Sequence, residues 1–184
     1  MRQRFARLLI TTVSTALLIP GIASAEGLFT PFIGVTFGGD TQKTSTTFGG
    51  ALGATAGGLF GFELDVSHTP DVLGRVGVLR DTSVTTVMGN VMLGAPVGPV
   101  RPYVSGGIGL LRSKFEGPDK TFRVRSVDFG TNVGVGVMAF FTDWLGVRGD
   151  IRYFRAVNVD DVPGAVDLAA FDFLRGTFGF TFRF

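Results

Sequence analysis

Eight stretches of the chain alternate large apolar residues with small or polar ones. The last is the plainest: Phe178, Phe180, Phe182 and Phe184 take every second place, with Gly179, Thr181 and Arg183 between them. A period of two places successive side chains on opposite faces of a strand, so this stretch predicts a strand with one aromatic face. The same period predicts strands over 28–37, 46–55, 59–67, 82–95, 103–112, 126–140 and 145–155. In the third, Phe60, Phe62, Leu64 and Val66 oppose Gly61, Glu63, Asp65 and Ser67. In the sixth, Val127, Phe129, Val133, Val135 and Val137 oppose Asp128, Gly130, Asn132, Gly134 and Gly136. In the seventh, Leu145, Val147, Ile151 and Tyr153 oppose Arg148, Asp150 and Arg152. No useful helical period follows residue 25.

The connections alternate too. Those after the second, fourth and sixth strands are short: Ala56-Gly57-Gly58 reads as a tight turn, and 96–102 as a turn whose three prolines exclude it from a central strand. Those after the first, third, fifth and seventh are long, over 38–45, 68–81, 113–125 and 156–170. Short turns on one rim and long loops on the other are the pattern of a membrane-spanning barrel, and an even strand count lets the eighth strand close against the first. The expectation is an all-β, transmembrane, eight-stranded antiparallel up-and-down barrel.

Volume and charge decide which face meets lipid. A soluble barrel places its large apolar residues inside. An eight-stranded barrel is only wide enough for its own side chains, too narrow for most of the 19 phenylalanines here. Turned the other way, the polar set would face hydrocarbon, where an Arg or Lys costs about 2–4 kcal/mol at the midplane. Apolar out and polar in satisfies both limits. Glu63, Asp65, Asp128, Arg148, Asp150 and Arg152 then point into the lumen and must pair there. Phenylalanines, Trp144, Tyr103 and Tyr153 are expected in the aromatic girdles.

Composition refines this. Hydrophobic residues are 45% and charged residues 17% of the 184, with 28 glycines and no cysteine, which excludes disulfide scaffolds and thiolate metal sites. Arg2, Arg4 and Arg7, the apolar run 8–19, and Ala23-Ser24-Ala25 form the three parts of a secretory signal. The expected organisation is a cleaved signal peptide, 1–25, and a barrel, 26–184. Without those three arginines, 14 of the 17 basic residues face 15 acidic ones, a net charge of −1, so no basic excess points to nucleic acid.

Three stretches carry a family resemblance: Pro102-Tyr103-Val104-Ser105-Gly106-Gly107-Ile108-Gly109-Leu110, then 145–154, and the alternate aromatics ending at Phe184. They resemble the outer-membrane β-barrel domain family of small eight-stranded proteins, related in build to the OmpA transmembrane domain and OmpX. The resemblance implies the bacterial outer membrane as location. It also implies recognition of the terminal Phe180, Phe182 and Phe184 by the barrel-assembly machinery. No peptidoglycan-binding module is expected after Phe184.

Candidate chemistry is sparse. The lumen charges read first as a structural plug, with a narrow porin-like channel or a catalytic carboxylate pair as alternatives. His68, the one histidine, reads as a loop residue beside Ser67 and Asp71; a lipid-modifying enzyme would need nucleophile, base and orienter in contact there. Gly134-Val135-Gly136-Val137-Met138-Ala139 fits a nucleotide fingerprint, but within a strand rather than opening a helix. The 113–125 loop, with Lys114, Lys120, Arg123 and Arg125 against Glu116 and Asp119, suits lipopolysaccharide phosphates. The acidic 156–170 loop, with Asp160, Asp161 and Asp167, suits a divalent cation only weakly. The reading is a monomeric, non-enzymatic structural or surface-interaction barrel without cofactor or metal, in contact with outer-membrane lipids and lipopolysaccharide.

Overall fold

The structure, a computed structural model, describes residues 25–39, 41, 44–70, 81–116, 123–157 and 172–184. The proposed signal peptide lies outside them except for Ala25. The strands are β1 (Ala25–Phe37), β2 (Ser45–Ala56), β3 (Phe60–Pro70), β4 (Asp81–Gly94), β5 (Val100–Glu116), β6 (Arg123–Phe140), β7 (Leu145–Val157) and β8 (Asp172–Arg183). Each pairs antiparallel with its neighbours, and β8 pairs with β1 to close the barrel.

Closure removes both edges, so every strand has backbone partners on both sides. One interruption has a plain cause. Between β1 and β8 the pairs run Leu28↔Arg183 and Phe29↔Phe182, then resume at Phe32↔Gly179. Pro31 has no N–H to donate at the gap. The Thr30 and Thr181 hydroxyls, 2.9 Å apart, bridge it inside the lumen.

Alternation orients the strands as volume and charge require. Phe62, Ile108, Phe129 and Phe178 stand exposed on the outer wall, while Thr30, Thr47, Glu63, Asp65, Asn90 and Arg152 are buried inside. The three-residue β2–β3 loop turns on Gly57 and Gly58 at φ of 56° and 70°, the left-handed region that glycine enters without steric cost, and Leu59 N–H closes it on the Ala56 carbonyl at 3.1 Å. The Gly134–Ala139 stretch lies within β6.

Several boundaries differ from the sequence expectation. β5 begins at Val100 and includes Pro102, which pairs with Val137. Proline is tolerated so close to a strand's start, and its carbonyl still accepts from Ala95 N–H at 2.9 Å. β5 and β6 run on to Glu116 and from Arg123, so the expected 113–125 loop is mostly paired strand. Only 117–122, with Asp119 and Lys120, lies outside the described residues. β3 continues through His68 to Pro70, and β8 starts at Asp172. Pairing persists above the membrane because a ladder needs backbone partners, not apolar side chains. Asp160, Asp161 and Asp167 lie outside the described residues.

Candidate functional site: an ionic lattice across the lumen

In a ring of eight, β3 and β7 stand opposite each other. Period two puts Glu63, Asp65 and Ser67 on the inner face of β3 and Arg148, Asp150 and Arg152 on that of β7. The long arginines cross the lumen. Arg148 Nη1 meets Glu63 Oε2, and Arg152 Nη2 donates to Glu63 Oε1 at 2.7 Å. On β7 itself, Asp150 takes Arg148 Nε at 3.1 Å and Arg152 Nε at 3.2 Å. Arg152 Nη1 lies 3.6 Å from Asp65.

Arg175 of β8 completes the lattice. Its two terminal nitrogens donate to the two Asp65 oxygens at 2.9 and 2.7 Å, a bidentate fork that fixes orientation as well as charge. It also donates to Ser67 Oγ at 2.7 Å and lies over the Phe154 and Phe32 rings. Three guanidiniums therefore meet three carboxylates, and all six residues are at most 8% exposed. The balance matters because a buried charge without a partner is far more costly than a paired one.

Neutral groups hold the charges in place. Tyr103 donates its hydroxyl to Asp150 at 2.7 Å, accepts from Arg148 Nε at 2.7 Å, and underlies that guanidinium. Asn132 donates to Asn90, which lies 3.5 Å from Glu63 Oε1. Glycines on β6 make the room: a Cβ on Gly134 would lie 2.6 Å from Arg152 Cγ, and one on Gly136 2.6 Å from Asp150 Cβ. Apolar layers lie on either side, Leu28, Met92, Tyr103 and Met138 toward the short turns, and Met88, Leu111, Phe154 and Phe173 beyond. Near the short-turn rim, Glu26 pairs with Arg101 at 2.6 Å and with Arg183 at 3.5 Å.

The structure thus brings together Glu63, Asp65, Arg148, Asp150 and Arg152. Asp128 shares the inward face of β6 but stands level with Leu111, six residues along the strand from Gly134 at the lattice. Arg175 lies in β8, which begins at Asp172, six residues before the alternate phenylalanines that mark the strand in the sequence. Phe173, Arg175 and Thr177 nevertheless continue its period. Tyr103 is in the lumen rather than in a girdle, as its parity with Ser105 requires. Among the described residues Phe32, Phe154 and Phe173 are also buried inside, the last two stacked at 4.9 Å.

His68 is a strand residue, not a loop residue. It sits on the outer face of β3, bonded through Nδ1 to Thr85 Oγ1 at 2.9 Å and against the Phe48 ring. Ser67 faces the lumen, 2% exposed, so the two neighbours in sequence are on opposite sides of the wall. Phe180, Phe182 and Phe184 stand on the outer face at the short-turn end, where Phe182 stacks between Phe29 and Trp144.

With the closed barrel and its polar lumen established, the sequence profile of the outer membrane protein beta-barrel domain matches residues 24–184. The chain belongs to this family. As an outer-membrane β-barrel protein it is similar in structure to Neisserial surface protein A, with 12% identity and a TM-score of 0.62 over 89% of this chain and 97% of that one. The attachment invasion locus protein Ail of Yersinia pestis, in complex with the heparin analogue sucrose octasulfate, gives 12% identity and 0.60 over 89% and 100%. The N-terminal β-barrel domain of Pseudomonas aeruginosa OprF gives 17% and 0.56 over 89% and 99%. At these identities the likeness is one of fold. A comparison with curated proteins finds no match. The protein is located in the bacterial outer membrane.

Proposed function

We propose that this outer-membrane barrel is a non-enzymatic structural and surface-interaction protein whose lumen is closed by its own side chains. The lattice carries the reading. Six charged residues bridge opposite walls, between two apolar layers. An ion crossing them would shed water without a compensating partner. The placement of His68 and Ser67 on opposite faces supports a non-enzymatic role, because nucleophile and base need contact. Interaction would fall to the segments joining strands on the rim away from the short turns. Lys114 and Arg125 are paired there across β5 and β6, which suits lipopolysaccharide phosphates. Phe180, Phe182 and Phe184 would serve the barrel-assembly machinery during insertion.

Planar-bilayer recording tests the closed lumen. The wild type should show no steady conductance, and Arg148→Ala should admit ions. A steady, defined conductance from the wild type would favour the porin-like alternative and overturn this reading. The non-enzymatic assignment is tested by the mass of lipid A with and without the protein, which should be unchanged. An acyl change abolished by His68→Ala would sink it.

A further inference from the structure

The outer wall is indented between β1, β2 and β3. Phe29, Phe48, Leu52, Leu64 and Val66 rim an open groove of about 350 Å³. Gly50 is the gap in that wall, on the outer face of β2 between Phe48 and Leu52. Packing does not demand a glycine there. A Cβ on Gly50 would meet the Phe29 ring and the Thr30 carbonyl at 3.8 Å, ordinary contact distance. Its neighbour Gly49 is different: it faces the lumen, and a Cβ there would lie 2.7 Å from the Phe32 ring. The barrel needs Gly49, whereas Gly50 leaves space that the fold does not use. Glycine weakens a strand interior and often marks close approach of a ligand.

The groove has one polar end. His68 follows Val66 on the outer face of β3, and its Nδ1 is 2.9 Å from Thr85 Oγ1. The Phe48 ring lies 5.5 Å from the imidazole. When the Thr85 hydroxyl donates to Nδ1, the ring proton sits on Nε2, which is then a donor. No described side chain takes it.

Height along the barrel identifies the leaflet. From Phe60, beside the short β2–β3 turn, to His68 is about 27 Å along the strand at ~3.4 Å per residue. At a tilt of ~40° this is about 20 Å along the membrane normal, close to the ~25 Å apolar band of such barrels. His68 therefore lies at the edge of the band away from the short turns. In outer-membrane barrels the short turns are periplasmic, so this edge is the one where outer-leaflet headgroups begin.

We propose that the groove binds one acyl chain of lipopolysaccharide, lying past Val66 and Gly50, with an oxygen of the lipid A headgroup accepting from His68 Nε2. The occupant is a lipid because the walls face hydrocarbon. It is lipopolysaccharide because the polar end lies in the outer leaflet, which that lipid occupies. A second furrow on the same wall serves as an internal control. It is larger, about 630 Å³, and lies along Gly149 and Gly176 beside Ile33, Ile151 and Phe178; the outward polar pair beyond it is Tyr153, whose hydroxyl donates to the Asp172 carboxylate at 2.7 Å. A chain there would bring its anionic headgroup to a carboxylate rather than to a free donor. This proposal is independent of whether the lumen conducts.

The test is native mass spectrometry of the protein extracted from outer membranes in mild detergent, with heat-modifiable gel mobility confirming that each variant is folded. The wild type should retain one lipopolysaccharide molecule. Gly50→Leu, which fills the groove with a residue suited to lipid, should lower retention about tenfold, and His68→Ala should lower it several-fold. Gly176→Leu should leave it unchanged. If Gly50→Leu fails to fold, Val66→Trp blocks the same groove from β3. Undiminished retention in a folded groove-filled variant would overturn the proposal. So would equal loss in Gly176→Leu, or a wild type that retains phosphatidylethanolamine instead.

Discussion

Gly49 and Gly50 are consecutive on β2, yet a side chain is excluded at the first and admitted at the second. The same contrast runs round the barrel. On the inner wall the charges of the lattice have named partners: Asp150 is met by Arg148, Arg152, Tyr103 and Thr177. On the outer wall Ile108 and Phe62 stand 71% and 60% exposed, with lipid as their solvent. Lipid asks only that a residue be apolar, because hydrocarbon conforms to whatever shape it meets. A close-packed, charged interior asks for particular atoms at particular distances. Inner-wall substitutions should therefore be costly and specific, and outer-wall ones cheap.

The largest expected effect is at Arg152. Arg152→Ala leaves Glu63, Asp65 and Asp150 with two guanidiniums among them, and a broken buried ionic network typically costs about 3–5 kcal/mol. Urea titration of the protein folded in lipid vesicles measures it; a loss under about 1 kcal/mol, the range of exposed pairs, would break the contrast. Next, Gly134→Leu drives a side chain into Arg152, and overpacking costs about 1–3 kcal/mol. Tyr103→Phe removes one hydroxyl and keeps the ring, leaving Asp150 and Arg148 short of a partner at about 1–2 kcal/mol. The smallest is Gly50→Ala on the outer wall, expected within about 0.5 kcal/mol of the wild type in the same titration. If Gly134→Ala proved as mild as Gly50→Ala, crowding around Arg152 would not explain the β6 glycines.

Much of the architecture was legible in the residues. Period two is a short-range pattern, and a lipid-facing strand cannot hide it, since every second residue must be apolar. Residue type misleads where it competes with parity. Tyr103 is aromatic and suits a girdle by type, but its parity with Ser105 two places on sets it on the inward face. Arg175 precedes the alternate phenylalanines that mark the last strand, yet Phe173, Arg175 and Thr177 extend its inward set. His68 reads as a loop residue in the sequence, whereas pairing with Thr85 carries β3 past it.

The amino-acid sequence by itself determined the strand count, the inner and outer faces and the need for lumen charges to pair. Each follows from contacts within one strand or between one face and its solvent. Only the closed barrel decided which charges meet. Arg148 and Glu63 are 85 residues apart, and Arg175 and Asp65 are 110 apart. Alternation gives the side a residue faces but not its height on the barrel. Height comes from the stagger between strands, which is settled when β8 closes on β1. That closure places Arg175 level with Asp65, leaves Asp128 beside Leu111, and puts the unused space at Gly50 below His68.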